Sequence, residues 1–166
     1  AVASVALLAL GSTFEMVSEH SSELKKEIAD WQDGVVMLLG VFPDGPAMSV
    51  KKENGGIRFL GMGMCDADLK VLFKNLDSAM MVLTGQMGAH TAFAQCRAVV
   101  YGNLGAGMQL SRALNIVQKF ILPSFMLNRT FKRPPVFSSD DLLLKARVMA
   151  TLAPRMISGV MRRQCL

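Results

Sequence analysis

The 166-residue chain has few of the side chains that build metal centres. Its three cysteines, Cys65, Cys96 and Cys165, lie far apart, and His20 and His90 are its two histidines. No zinc site of ordinary spacing can be assembled from this set. Few, odd-numbered cysteines are typical of a reducing compartment, so we expect a cytoplasmic protein without a metal ion or other cofactor.

Charged residues and long apolar runs are also scarce. Charged residues make up 19% of the chain and hydrophobic residues 51%, which excludes disorder over most of its length. The longest largely apolar runs, 1–10 and 35–42, are shorter than the ~18–20 residues that span a bilayer. No basic segment precedes the first run, so no signal peptide is predicted. We expect one soluble domain with more apolar side chains than its core needs.

Tryptophan and tyrosine occur once each, whereas there are nine phenylalanines and thirteen methionines. Methionine is flexible and fills irregular space. Six methionines fall in the predicted sheet and the two helices expected to cover it, namely Met62, Met64, Met80, Met81, Met87 and Met108. They are consistent with an ordinary core, or with a cavity for a ligand of imprecise shape such as an acyl chain or a sterol.

Charge is distributed unevenly along the chain. Residues 1–111 hold 8 basic and 11 acidic residues, a net charge of −3, whereas residues 112–166 hold 10 basic and 2 acidic residues, a net charge of +8. The basic segment 112–166 indicates either a face exposed to solvent or a surface that binds lipid headgroups, acyl-CoA phosphates, nucleic acid or an acidic protein. Nucleic acid is not expected, because the basic region lacks interleaved aromatic residues and any helix-turn-helix or finger pattern.

Apolar spacing predicts a helix over residues 13–32. The predicted apolar face consists of Phe14, Val17, Ser21, Leu24, Ile28 and Trp31, with Ser21 the one polar member. Ser12 and Glu15 fit a capping box at the start of this helix. We expect the preceding residues 1–10 to form a docked helical arm.

From Val35 onward the pattern is that of strands. Four segments have strand character: 35–42, 47–52, 57–64 and 69–74. Asn54-Gly55-Gly56 is a strong hairpin signal, and the four strands are predicted to form an antiparallel meander. Leu69, Val71 and Phe73 share one face of the fourth strand.

Helical spacing returns after the fourth strand. We predict helices over 76–87 and 104–122, a helical turn at 91–95, a strand at 98–101, and a last helix that Ser138 or Ser139 caps and Pro154 breaks. Asn75 or Asp77 caps the first of these helices, and Asn103 caps the second. The order predicts an α+β domain with helices packed on one face of a largely antiparallel sheet.

No catalytic constellation emerges from the sequence. The thiol of Cys96 and the imidazole of His90 lack a third group to orient them, and Asp66 and Asp68 are expected to form a turn rather than an acid/base pair. The glycine-rich segment 102–107 does not match a dinucleotide motif, although it places amides at a helix N-terminus that could bind an anion. We therefore do not expect an enzyme.

The segment 85–110 reads GQMGAHTAFAQCRAVVYGNLGAGMQL: a helix, a short Ala-Phe turn, a strand, and a helix start of the form Gly-Asn-apolar-Gly. This pattern resembles the signature of the sterol carrier protein 2 family, and a looser resemblance extends back to about Leu24. The segment departs from the family at Ala89, Cys96 and Gly107, where Pro, Gly and Ala are common. Residues 123–166 have no counterpart in the family pattern.

The resemblance implies a five-stranded, mostly antiparallel sheet whose covering helices enclose an apolar tunnel for a fatty acid, acyl-CoA, sterol or phospholipid. It divides the chain into an apolar arm at 1–12, the lipid-binding domain at 13–122, and a basic helical extension at 123–166 packed on that domain. The residues expected to line the tunnel are Met37, Leu39, Phe73, Met80, Leu83, Met87, Phe93, Val99, Tyr101, Met108, Leu110 and Leu114.

Five basic residues of the extension are expected to meet headgroup or CoA phosphates: Arg129, Lys132, Arg133, Arg162 and Arg163. The leading hypothesis is a non-catalytic intracellular lipid carrier that touches an anionic membrane surface transiently. The alternative is an accessory subunit that holds a hydrophobic intermediate, for example an isoprenoid quinone, for partner enzymes. A homodimer is open under both hypotheses.

Overall fold

The computed structural model describes residues 2–122, 137 and 139–161. Within these ranges the helices are α1 (Val2–His20), α2 (Ser22–Ile28), α3 (Leu76–Leu83), α4 (Ala89–Ala94), α5 (Leu104–Ile121) and α6 (Ser139–Met161). The strands are β1 (Val36–Val41), β2 (Ala47–Glu53), β3 (Gly56–Met62), β4 (Leu69–Phe73) and β5 (Ala98–Tyr101).

The five strands form one sheet in the order β3-β2-β1-β4-β5. β1 pairs with β2 antiparallel and with β4 parallel, while the pairs β2–β3 and β4–β5 are antiparallel. The predicted α+β class and mostly antiparallel sheet are therefore confirmed. The predicted meander is wrong at its fourth strand, because the connection 63–68 leaves the edge strand β3 and crosses to the far side of β1. Because the crossover passes over two strands, β4 runs in the same direction as β3 and pairs in parallel with β1.

The two faces of the sheet are covered differently. On one face, alternate residues of β4, Leu69, Val71 and Phe73, join the main core beneath the helices, as the sequence pattern predicted. On the other face, Leu38 and Leu72 join Ala47 in a small apolar cluster. The connection 63–68 packs on that cluster. Successive side chains of a strand point to opposite faces of the sheet, so residues of the main core and of the small cluster alternate along β4.

An exposed ion pair links the connection 63–68 to β4. Lys70 Nζ donates a hydrogen bond of 2.9 Å to Asp66 Oδ1. This hydrogen bond, the positive charge of Lys70 and the backbone N–H of Ala67 lower the pKa of Asp66 from its ordinary value of 3.8. Both side chains lie at the surface, so water screens the pair.

α1 and α2 replace the single helix predicted over 13–32. The chain breaks at Ser21, which adopts an extended conformation (φ −85°, ψ 120°) and caps α2 by accepting a 3.4 Å hydrogen bond from Leu24 N. Ser21 is the polar exception in the predicted apolar face, and all six members of that face are buried. The predicted capping box at Ser12 is wrong, because the helix continues upstream through residues 2–11 and Ser12 is buried inside it.

α1 is the one helix in the described part of the chain that is long and apolar enough to cross a membrane. α1 is longer than the apolar run 1–10 seen in the sequence, because the helix continues through Gly11, Ser12 and Thr13. Within the protein, 67% of the most apolar 18-residue stretch of α1 is buried. Phe14 and Val17 of this helix are fully enclosed in the core. The predicted boundary between an arm and a domain at residues 12 and 13 falls inside this helix.

Two of the later helices, α3 and α5, begin at the predicted caps. Asn75 Oδ1 accepts a 2.8 Å hydrogen bond from Ser78 N at the start of α3, and Asn103 Oδ1 accepts one of 3.2 Å from Ala106 N at the start of α5. Gln118 of α5 donates from Nε2 to the Val82 carbonyl of α3 at 3.0 Å. The Gln118 hydrogen bond joins α5 to α3.

α6 packs along α1. Leu144 and Val148 are buried, and the Thr151 hydroxyl lies 3.3 Å from Met16 Sδ of α1. The predicted break at Pro154 is wrong, since the helix continues through it to Met161.

Candidate functional site

A groove of about 640 Å³ opens at the end of the sheet where β1, β4 and α5 begin. This volume falls in the range of about 300–1,000 Å³ typical of small-molecule sites. The groove is lined by Asp30, Trp31, Gln32, Val35, Met37, Asp68, Leu69, Asn103, Gly105, Ala106, Met108, Gln109 and Arg112.

The floor of the groove is part of the main core. Trp31, Met37 and Leu69 line the groove and also belong to the core cluster, with 8%, 3% and 2% of their surfaces exposed. Met108 stands at the rim with 43% of its surface exposed. An apolar guest in the groove would therefore rest on side chains that already exclude water, next to one flexible thioether.

The rim of the groove carries charged side chains from two directions. Asp68, in the loop before β4, accepts a 2.9 Å hydrogen bond at Oδ2 from the Val36 N–H of β1. Arg112 of α5 donates from Nε to Glu27 Oε1 of α2 at 2.7 Å. Asp30 lies in the segment that follows α2 and is exposed. The rim therefore combines two carboxylates from the loops with one guanidinium from α5.

Glycines position the start of α5 against the sheet. Gly102 has a φ of +113°, and a Cβ added there would lie 2.5 Å from the Asp68 carbonyl oxygen. A Cβ added at Gly107 would lie 3.0 Å from Val100 Cγ1 of β5. The glycine-rich segment 102–107 therefore brings the helix backbone close to β4 and β5, and it forms one side of the groove.

Two ion pairs join α2 to α5 beside the groove. Glu27 pairs with Arg112, and Glu23 pairs with Lys119. Seven residues separate the two basic partners along α5, so both lie on the face that meets α2. The pairs hold α2 along α5, while the segment 30–35 after α2 turns away toward β1 and leaves the groove between them.

The structure places two of the twelve predicted lining residues, Met37 and Met108, in this groove. Four more, Leu39, Phe73, Leu110 and Leu114, are 2–3% exposed and packed in the main core. Leu83, Met87 and Phe93 are half-buried against that core, and Met80 is half-buried on α3.

Val99 and Tyr101 are on the other side of the sheet. In the β4–β5 pairing Val99 is opposite Leu72 and Tyr101 is opposite Lys70. Directly paired residues share a face, and Leu72 belongs to the small cluster away from the helices. The prediction that these two residues line a space beneath the helices is therefore wrong, because their side chains point to the opposite face of the sheet. Ala98 and Val100 take the inward positions and contact the core.

Most of the groove lining was not predicted from the sequence. Its residues come from segments that are distant along the chain, and several are polar. One signal was present: Trp31 is the only tryptophan in the chain, and it follows a helix at an apolar position. Its Nε1 is buried and has no hydrogen-bond partner in the described structure, which is unusual for an indole in a protein interior.

The basic residues predicted to meet phosphates, Arg129, Lys132, Arg133, Arg162 and Arg163, lie outside the described residues. A second depression of about 520 Å³ lies where α6 meets the junction of α1 and α2, and it includes His20, Asp140 and Arg147. Its lining is mostly polar. Across residues 2–122 and 139–161, no three His, Cys, Asp or Glu side chains are grouped as metal ligands.

Comparison with known proteins places the fold. No protein-family model and no curated protein sequence matches the chain. Among solved structures, it is similar to a conserved hypothetical protein from Thermus thermophilus that is suggested to be a sterol carrier protein, with 20% identity and a TM-score of 0.52 over 67% of this chain and 82% of that one. It is also similar to the crystal structure of sterol carrier protein 2, with 17% identity and a TM-score of 0.53 over 66% of this chain and 94% of that one. At these identities the likeness establishes the fold.

Proposed function

We propose that this chain, which has the sterol carrier protein 2 fold, is a non-catalytic lipid-binding protein whose ligand lies in the groove at the start of β1, β4 and α5. One observation carries the proposal. The groove has room for about 640 Å³ of ligand, and its floor consists of the core side chains Trp31, Met37 and Leu69. Carriage of a fatty acid, acyl-CoA, sterol or phospholipid needs such a floor and no nucleophile.

Burial alone can supply the affinity. Each methylene that leaves water contributes about 0.8 kcal/mol, so ten buried methylenes contribute about 8 kcal/mol. That free energy corresponds to a Kd of roughly 1 μM, before the cost of immobilising the ligand reduces it. The site therefore needs a chain of medium length or longer to bind at useful concentrations.

The test uses Trp31 as a reporter, because it lines the groove and no other tryptophan contributes to the emission. We expect palmitate, cholesterol or a lysophospholipid to change Trp31 emission and to displace a fluorescent fatty acid. Native mass spectrometry of the purified protein should show a copurified lipid.

Two methionines give a matched pair of variants. Met108 at the rim and Met149 on α6 are 43% and 44% exposed, but Met149 is not among the residues that line the groove. We expect Met108→Glu to weaken acyl-chain binding about tenfold, or roughly 1.4 kcal/mol, and Met149→Glu to leave it unchanged. Silent Trp31 emission with every lipid, together with a ligand-free mass spectrum, contradicts the proposal.

A second function, an accessory subunit that holds a hydrophobic intermediate for partner enzymes, is supported by the outer side of α6. Leu142, Leu143 and Met149 are 57%, 71% and 44% exposed on a helix whose Leu144 and Val148 pack inward. Adjacent exposed apolar side chains are typical of an interaction surface. Light scattering of the wild type and of Leu143→Glu would test whether this surface joins two copies of the chain, and a monomer in both samples counts against a homodimer.

The proposal also covers location and the basic extension. We propose a reducing cytoplasmic setting, which is supported by the low cysteine count. The net charge of +8 on residues 112–166 supports transient contact with an anionic membrane surface, where the ligand would be loaded or released.

A further inference from the structure

We infer that residues 22–33, which comprise α2 and the segment after it, form a lid, and that a lipid enters the protein between this lid and α5. The inference rests on the proposed function and assigns the entry path of its ligand. It follows from the backbone at the two ends of the lid, from the apolar underside of the lid and from the ion pairs that hold it on α5.

The groove by itself does not enclose an acyl chain. Trp31, Met37 and Leu69 form its floor, and its other side is open. Burial contributes the full free energy per methylene only when each methylene leaves water. The lid lines the groove with residues 30–32, and the first half of α5 lines it as well. A chain that is to be enclosed therefore has to pass between the lid and α5.

The lid is flanked by two points at which the backbone can turn. At its start, Ser21 leaves helical geometry (φ −85°, ψ 120°), and its hydroxyl accepts from Leu24 N at 3.4 Å, a long hydrogen bond. At its end, Gly34 has a φ of +91°, and a Cβ added there would meet no neighbouring atom within 4 Å. The Gly34 N–H donates to the Lys52 carbonyl of β2 at 2.8 Å, which anchors this hinge to the sheet. Rotation at Ser21 and Gly34 moves the lid as a unit.

The underside of the lid has the same apolar character as an acyl chain. Leu24 and Ile28 are fully buried in the main core, and Trp31 is 8% exposed. An acyl chain that replaces these contacts restores the apolar burial that is lost when the lid opens. The Trp31 Nε1 is buried without a hydrogen-bond partner in the described structure. Opening of the lid gives this N–H access to water, which offsets part of the cost of opening.

Two ion pairs hold the lid on α5. Arg112 Nε donates to Glu27 Oε1 at 2.7 Å, and Lys119 pairs with Glu23. In each pair one side chain is more than half exposed, Arg112 at 56% and Glu23 at 55%. Exposed ion pairs contribute little to stability individually and are screened by salt. The polar part of the closure is therefore weak, and it responds to ionic strength.

The first experiment measures opening of the lid in the absence of lipid. Glu27→Gln combined with Lys119→Gln removes one partner of each pair, keeps the net charge and alters no residue that lines the groove. Amide hydrogen exchange is followed by mass spectrometry. We expect residues 22–33 of the double variant to exchange about fivefold faster than in the wild type, the effect of losing two exposed ion pairs, whereas β1 keeps its wild-type exchange.

A matched control breaks exposed ion pairs elsewhere. Glu53→Gln combined with Lys70→Gln removes the pairs of Glu53 with Arg58 and of Lys70 with Asp66 on the sheet, also at constant net charge. We expect wild-type exchange over residues 22–33 in this control. An increase from about 20 mM to about 500 mM salt should speed exchange of the lid in the wild type and in the control, and have little effect where the lid pairs are already broken.

The second experiment tests whether the lid admits lipid. In the background Cys65→Ser, Cys96→Ser and Cys165→Ser, the changes Glu23→Cys and Lys119→Cys place one thiol on the lid and one on α5. A bismaleimide with a reducible spacer joins them. We expect the cross-linked protein to take up a fluorescent fatty acid about tenfold more slowly in stopped-flow measurements, as for a gated site. Reduction of the spacer in the same sample should restore the rate.

The outcomes separate the lid from the proposed function. If the Glu27→Gln/Lys119→Gln variant exchanges like the wild type over residues 22–33, or if the cross-linked and reduced proteins take up lipid equally fast, the lid is wrong and lipid binding stands. If exchange rises as expected but neither the cross-linked nor the reduced protein takes up the probe, the proposed function fails and the entry path fails with it.

Discussion

The two ends of the interior differ in how they are filled. Beneath α1, the space between helix and sheet is solid: Leu7, Phe14 and Val17 are fully buried, and Gly11 lies so close to Phe59 that an added Cβ would come within 2.5 Å of its ring. Beneath the start of α5, a groove of about 640 Å³ remains open. The floor of the groove is as apolar as the layer beneath α1, so an apolar lining alone does not decide which end is open.

The difference lies in how closely the covering backbone approaches the sheet. α1 crosses β2 and β3 with Gly11, Ser12 and Thr13 in its middle, and these small residues let large side chains from both layers interlock. At the other end Gly102 and Gly107 pin α5 against β4 and β5, while the segment after α2 turns toward β1. The groove is the space left between α5, which lies against β4 and β5, and the segment after α2, which leads to β1.

The largest expected effect comes from the solid end. Phe14→Ala removes a fully buried aromatic ring, and we expect it to lower the free energy of unfolding by about 3–5 kcal/mol. Val5→Ala on the same helix, where Val5 is 52% exposed, should change it by less than about 0.5 kcal/mol. Urea unfolding followed by circular dichroism measures both. Equal losses would mean that α1 is not packed as described.

The next effect tests the anchor of the groove end. Gly102→Ala adds a Cβ 2.5 Å from the Asp68 carbonyl oxygen at a φ of +113°. Backbone strain and the steric clash together should cost about 2–4 kcal/mol. Because the clash displaces the start of α5, lipid binding measured by probe displacement should also weaken. A variant with normal stability and normal binding would show that this turn does not set the groove.

A glycine pair compares the two ends directly. Gly11→Ala gains helix propensity of about 1 kcal/mol but places Cβ 2.5 Å from the Phe59 ring, and we expect a net loss of about 1–2 kcal/mol. Gly107→Ala meets Val100 Cγ1 at 3.0 Å, a half-buried methyl group that can shift, so its stability should change by less than about 1 kcal/mol. Differential scanning calorimetry compares the two variants, and the reverse order contradicts the contrast between a filled end and an open end.

The smallest effect concerns the far face of the sheet. The lowered pKa of Asp66 means that its pairing with Lys70 stabilises the fold at pH values above the unfolded value of 3.8 and that this contribution is lost as pH falls through the lower folded value. We expect Asp66→Asn to flatten the acid limb of stability against pH below about pH 4, as measured by urea midpoints. Asp77→Asn, in the first turn of α3, serves as the control. Parallel acid limbs for Asp66→Asn and wild type would argue against the ion pair.

The sequence predicted most of the fold because local signals were strong. Alternation in β4 assigned Leu69, Val71 and Phe73 to one face, and Asn75 and Asn103 marked the starts of two helices. Those features depend on neighbours in the chain. The resemblance of residues 85–110 to the sterol carrier protein 2 signature added the five-stranded sheet, and the structural comparisons confirm that fold.

The groove could be predicted only in part. Of the residues predicted to line a lipid tunnel, Met37 and Met108 lie in this groove, whereas Val99 and Tyr101 face the other side of the sheet, because β5 is short and apolar on both faces. Asp30, Asp68 and Arg112 were missed as lining residues, since nothing local relates residues so far apart along the chain.

By itself, the sequence determined the alternation of strands, the helix caps and the surplus of flexible apolar side chains, because each of these depends on residues within a few positions of one another. The tertiary structure decided where that surplus encloses a space and which charges surround it. Whether two layers touch or stand apart depends on the distance between backbones from remote segments, and that distance is set here by Gly11 at one end and Gly102 at the other.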